Sequence, residues 1–139
     1  MANLEKVQEF FRNDLFATQV SGISIEQVDY HFALCKMPLT AQHKNARGMT
    51  MGGAVFTLAD FAAAVAANSE LGDEHVVSLH ADISHLSAAR GACLIAEAKS
   101  VKHGGSTTLY RVDVSDELGN CVAVVNVTGY VLKNNGKKS

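Results

Sequence analysis

Gly52-Gly53-Ala54-Val55-Phe56-Thr57-Leu58-Ala59-Asp60-Phe61-Ala62-Ala63-Ala64-Val65-Ala66-Ala67 reads as a helix that is apolar on every face. A helix of this kind belongs inside a core or an interface. Its one acid, Asp60, is out of place on grounds of stability. Asp is a poor helix former, and an unpaired carboxylate in apolar surroundings is costly to bury. A carboxylate kept there is a candidate for chemistry. The charge also interrupts the apolar run, which ends at Asn68-Ser69-Glu70, too soon and too polar for a membrane span.

Downstream of the helix the pattern changes to period two. Val77, Leu79, Ala81 and Ile83 alternate with Ser78, His80, Asp82 and Ser84, and residues 92–102, 106–116 and 121–132 repeat the pattern. Turns are expected at His103-Gly104-Gly105 and at Asp116-Glu117-Leu118-Gly119-Asn120. Upstream, residues 41–53 have no hydrophobic period, and their glycines lead straight into the helix, which marks a loop with binding content. Between Gly22 and Leu39, loosely alternating Ile, Val, Tyr and Phe predict one or two strands ending at Pro38, the only proline. Leu4, Val7, Phe10, Phe11 and Leu15 recur at helical spacing and predict an amphipathic helix within residues 1–18. The basic segment 133–139 is expected to fray.

These elements make one α+β domain over residues 1–139, with a curved antiparallel sheet wrapped around a long central helix. One sheet around one apolar helix leaves a helix face and a sheet edge open in a monomer, so pairing with a second copy is expected. A formal net charge of -2 gives no global attraction to nucleic acid or to an anionic membrane. Cys35, Cys93 and Cys121 are odd in number and widely spaced, which suits reduced thiols filling a core rather than a disulfide framework or a metal pair. No apolar stretch at the start resembles a secretory signal, and a cytoplasmic location is expected.

The loop and helix together, Asn45-x-x-Gly48-x-x-Met51-Gly52-Gly53-x-x-x-x-Leu58-x-Asp60, resemble the signature of hotdog-fold acyl-CoA thioesterases of the PaaI (phenylacetyl-CoA thioesterase) type. The match continues through Asn68-Ser69, then Ser78 and Ile83-Ser84-His85-Leu86-Ser87-Ala88-Ala89-Arg90-Gly91, and covers about residues 22 to 132. The resemblance implies the hotdog fold and hydrolysis of acyl-CoA to free acid and CoA. It implies no cofactor beyond the coenzyme A of the substrate. It also implies a homodimer that pairs further into a tetramer, with Asn45 and Gly52 of one subunit facing Asp60 and Ser78 of the other. One departure stands out: where the family carries His-Gly-Gly, this chain has Met51-Gly52-Gly53, and a polar side chain at the loop is lost.

The residues themselves suit that chemistry. Desolvation in the helix raises the pKa of Asp60, which then either activates water as a general base or attacks directly to form a mixed anhydride. Gly52 and Gly53 open the helix, where N–H groups lack intrahelical acceptors and the dipole favours a developing oxyanion. About 12 Å of helical rise separates Gly52 from Asp60, so one helix does not easily present both to one carbonyl. Met51, Gly53 and Phe56, with Val55, Phe61 and Val65, are candidates to line the acyl group. Arg90, with Gly91, and the turn of His103, Gly104 and Gly105 are candidates for the CoA phosphates, as are Lys44 and Arg47.

Plainer readings stand beside these: Asn45 as a loop turn residue, Ser78 as a polar residue on a strand face, the Gly104-Gly105 pair as a hairpin turn. Ser78, His80 and Asp82 do not form a triad, because alternate strand residues stand about 7 Å apart. His80, Asp82 and His85 do not share a face as metal ligands, and no metal is expected. The alternatives are a hydratase or dehydratase on the same fold, which needs a His beside the acid, and a module that binds acyl-CoA without turnover.

Overall fold

The structure, a computed structural model, describes residues 2–133. Helix α1 spans Leu4–Phe11, with the Asn3 side chain accepting from Lys6 N–H at 3.1 Å. Its buried Val7 and Phe11 face strand β1 (Ser24–Asp29), and Gln8 Nε2 donates to Ile25 O at 2.8 Å. The helix is shorter than its hydrophobic period predicts. Asn13 Nδ2 caps the Phe10 carbonyl at 3.0 Å and Asp14 N–H donates back to Phe11 O at 2.9 Å, a tight ending of the kind these residues favour. A π-helical turn, Phe16–Val20, follows and leaves Leu15, Phe16 and Val20 exposed.

Strands β1 and β2 (Phe32–Pro38) form a hairpin, and helix α2 occupies Gly52–Ala67, as its apolar run predicts. Strands β3 (Glu74–His85), β4 (Cys93–His103), β5 (Thr107–Asp116) and β6 (Cys121–Lys133) complete one six-stranded sheet in the order β1-β2-β4-β5-β6-β3, every neighbouring pair antiparallel. The architecture is the expected α+β hotdog. The strand order differs from four consecutive hairpins: β3 pairs with β6, and the segment 86–92 carries the chain across to β4 beside β2. Lys133, assigned from sequence to the tail, ends β6 and pairs with Glu74 at 3.5 Å. The rest of that segment, 134–139, lies outside the described residues.

The core lies between α2 and the concave face of the sheet. Leu58, Ala59, Ala62, Val65 and Ala66 of the helix belong to one buried cluster with Ala33, Cys35 and Met37 of β2, Ala96 and Ala98 of β4, and Val112 and Val114 of β5. Small side chains on both layers suit close approach of helix and sheet at native packing density. Cys35 and Cys93 are buried as core filler, and burial pushes the Cys35 thiol up to about 12, whereas Cys121 is exposed at the start of its strand, contrary to the sequence reading.

Candidate active site

The loop before α2 is built from its own polar groups. Thr40 N–H donates to His43 Nδ1 at 2.9 Å, so the ring proton sits on Nε2 and donates to Ser21 O at 2.8 Å. The His43 carbonyl in turn accepts from Met51 N–H at 2.8 Å. Asn45 Oδ1 accepts from Arg47 N–H at 2.9 Å and Met49 N–H at 3.1 Å, while Gly48 takes the left-handed conformation at φ 79 that a Cβ would disfavour. The oxygen of Asn45 therefore shapes the loop, and its Nδ2 engages no partner among the described residues.

This scaffold delivers Met51 as the extended N-cap of α2. Ala54 and Val55 N–H turn back to Met51 O at 3.0 and 3.2 Å. The N–H groups of Gly52 and Gly53, first in the helix, have no intrahelical acceptor. Gly53 is exposed, with no atom within 4 Å of the place a Cβ would take. A cavity of about 530 Å³ opens on this helix start, walled by Phe16, Val20, Met51, Ala54 and Thr57. Phe16 and Val20 come from the π-helical turn, to which no part in the site is assigned from the sequence.

Helix α2 is not buried all round. Gly53, Phe56, Thr57, Asp60, Ala64 and Ala67 form an open stripe at three- and four-residue spacing. Val55, Phe61 and Val65 are in the protein's own core, so of the proposed acyl-lining residues only Met51, Gly53 and Phe56 remain accessible. Asp60 is half-buried on that stripe. Among the described residues no hydrogen bond or ion pair engages its carboxylate. Burial first, and then the charge of Asp14, raise its pKa above the ordinary Asp value.

Ser78 lines a small cleft with Ala63, Ala64 and Ala67, and so shares the side of α2 on which Asp60 lies. A bulge at Leu79 turns Ser78 inward and His80 and Asp82 outward, where those two pair at 3.8 Å. The loop that carries Arg90 is held by carboxylates. Asp116 Oδ2 accepts from Arg90 and Gly91 N–H at 2.8 and 3.1 Å, and Glu117 accepts from Ala92 and Cys93 N–H at 2.8 and 3.0 Å. The Arg90 guanidinium is exposed and has no partner among the described residues.

His103 belongs to a different region. Its ring stacks on His31 at 3.8 Å, its Nδ1 meets Tyr110 OH at 2.7 Å, and it borders a cleft that also carries Glu70, Asp73 and Glu74. Acids there oppose a phosphate. Gly104 N–H closes the hairpin to Thr107 O at 2.9 Å, and Gly105 is open. The structure thus gathers Met51, Gly52 and Gly53 at one end of α2, Asp60, Phe56 and Ser78 along its open side, and His103, Gly104 and Gly105 beyond its far end. His85, excluded from sequence only as a metal ligand, stands exposed against Gly52.

Comparison with known proteins gives a consistent result. The thioesterase superfamily pattern matches residues 47–123. An esterase-named protein of Archaeoglobus fulgidus is 30% identical over 129 residues, covering 91% of this chain and 82% of its own. The 1,4-dihydroxy-2-naphthoyl-CoA hydrolase of Listeria monocytogenes is 28% identical over 113 residues, covering 81% of this chain and 92% of its own. The PaaI protein from the phenylacetic acid degradation operon of E. coli superposes with a TM-score of 0.81 at 25% identity, over 95% of this chain and 98% of that one.

Proposed function

This chain belongs to the thioesterase superfamily, and from that premise we propose that it hydrolyses acyl-CoA thioesters to a free acid and CoA. The observation that carries the reading is Asp60: an unneutralised, half-buried carboxylate on the open stripe of a helix whose start, at Gly53, lines a cavity. In a homodimer the helix start of one protomer and the Asp60 of its partner meet at one thioester.

Asp60 takes a proton from water as the oxygen adds to the carbonyl carbon. The oxyanion so formed lies against the Gly52 and Gly53 N–H groups. Collapse of the tetrahedral species expels the CoA thiolate, which recovers the proton from Asp60, so no other group is consumed. Asn45 Nδ2 and the Ser78 hydroxyl orient the water and the carboxylate. The acyl group occupies the cavity beside Met51 and Gly53, with Phe56 on the open stripe of α2, and Arg90 meets the CoA phosphates, as do Lys44 and Arg47 of the loop before α2.

Thiol release measured across short, medium, long and aryl acyl-CoAs tests the proposal. Asp60→Asn is expected to lower kcat at least roughly a hundredfold. Equal rates for the variant and the native chain would make Asp60 structural, and CoA-ester binding without thiol release would make the protein a binding module.

A further inference from the structure

Six histidines occur in the chain, and five are accounted for away from the helix start or by their partners. Both ring nitrogens of His43 are occupied. His31 and His103 stack on each other, His80 pairs with Asp82 on the outer face of β3, and His75 lies beside Leu71 and Gly72 past the far end of α2. His85 is different. Ala81 and Ile83 of the same strand pack toward the core, so the pleat turns His85 to the inner face, opposite Ala123 of β6. Its Cε1 and Nε2 both lie 3.1 Å from the point a Gly52 Cβ would occupy. The Cα–Cβ direction in a helix tilts toward the N-terminus, the same end at which the unclaimed N–H groups point. No hydrogen bond or ion pair among the described residues uses the ring.

We propose that His85 Nε2–H is the side-chain hydrogen-bond donor to the thioester oxygen at the start of α2, completing with Gly52 and Gly53 N–H a three-donor oxyanion site. The inference rests on the thioesterase reading of this site. Gly52 has a second reason to be glycine here, since any side chain would push the ring from its place. The ring holds its Nε2 proton through the reaction and gives only the hydrogen bond, which strengthens as the carbonyl oxygen gains charge. Met51 leaves this role unfilled at the N-cap, and β3 supplies the polar group from the other side of the helix end.

The test compares His85→Phe, which keeps an aromatic ring of similar size, with His85→Gln, which keeps an N–H donor, on an acyl-CoA that the native chain hydrolyses, with Asp60→Asn alongside. His85→Phe is expected to lower kcat tenfold to a hundredfold with KM changed less than about threefold, and His85→Gln to recover most of the rate. Native kcat in His85→Phe overturns the proposal. So does a KM-only effect, or an equal loss in both variants, either of which assigns His85 to packing. If Asp60→Asn is inactive while His85→Phe is not impaired, the His85 inference alone falls. If the native chain releases thiol from no acyl-CoA, the thioesterase reading falls and this inference with it.

Discussion

An ionised Asp60 works against the fold at the pH where it would be needed for chemistry. Its carboxyl is held above the ordinary Asp value, so between about pH 4 and that raised value the folded chain binds more protons than the unfolded one. Stability therefore falls as pH rises through that window and carries a fixed penalty above it. Asp60→Asn removes the charge without changing the shape. The variant is expected to melt higher than the native chain at pH 7, with the difference shrinking as pH falls through that window and gone below about pH 4, where both carry a neutral group. The rate moves the other way: kcat/KM of the native enzyme is expected to rise with pH along a single ionisation displaced above the usual Asp range. Melting curves and rate profiles over the same pH series check both. A native chain that is stabilised by the ionised acid would show that a cation faces Asp60 in solution.

At the level of elements, the turn between β5 and β6 fixes the crossing that places the Arg90 loop. Asp116 is buried, and the Asn120 side chain, then the N–H groups of Arg90, Asn120 and Gly91, hold its carboxyl well below the usual carboxylate range. A depressed pKa gives stability that is present above the ordinary Asp value, about pH 4, and is lost as pH falls through the folded one. Asp116→Asn is expected to melt several degrees lower at pH 7 and to lose less stability on acidification than the native chain, which a thermal series in pH resolves. The carboxylate of Glu117 fills the position a Gly91 Cβ would need, so Gly91→Ala is expected to be destabilising too. None of this was legible beforehand. Asp116 and Glu117 read as ordinary turn residues, because their acceptors' partners lie some 25 positions away. The bounds of α2 were legible because composition, the opening glycines and Asn68 agree. Asn68 turns its side chain to Ala64 O and to the Val76 backbone at 2.9, 2.8 and 3.3 Å. The end of α1 and the place of β3 were not legible. The first depends on an Asn13 cap competing with a continuing apolar period, and the second on which strand β3 meets, a choice that local alternation does not encode. His85 escaped for the same reason, since its neighbour Gly52 is distant in sequence and only the sheet brings them together.

The whole molecule has two sheet edges, and they are treated differently. Helix α1 covers β1, while β3 runs twelve residues along the other edge with Val77 and Leu79 exposed. A long, unprotected edge is a template for a second strand, and a second copy of this chain would cover both the edge and the stripe. Such a dimer makes a prediction that no monomer shares. Asp60→Asn removes the base but leaves the helix start intact. Gly53→Val projects a side chain over the helix start, into space where no atom lies within 4 Å, and leaves Asp60 intact. Each variant alone is expected to be nearly inactive. When the two are unfolded together and refolded as a mixture, half the dimers are heterodimers, and each heterodimer pairs one native helix start with one native Asp60. About a quarter of the native rate should return if the two groups come from different protomers. If they came from one chain, every site in the mixture would lack one of them and the rate would stay at the level of the separate variants. Thiol release before and after mixing, with the dimer population measured by light scattering, decides between the two arrangements.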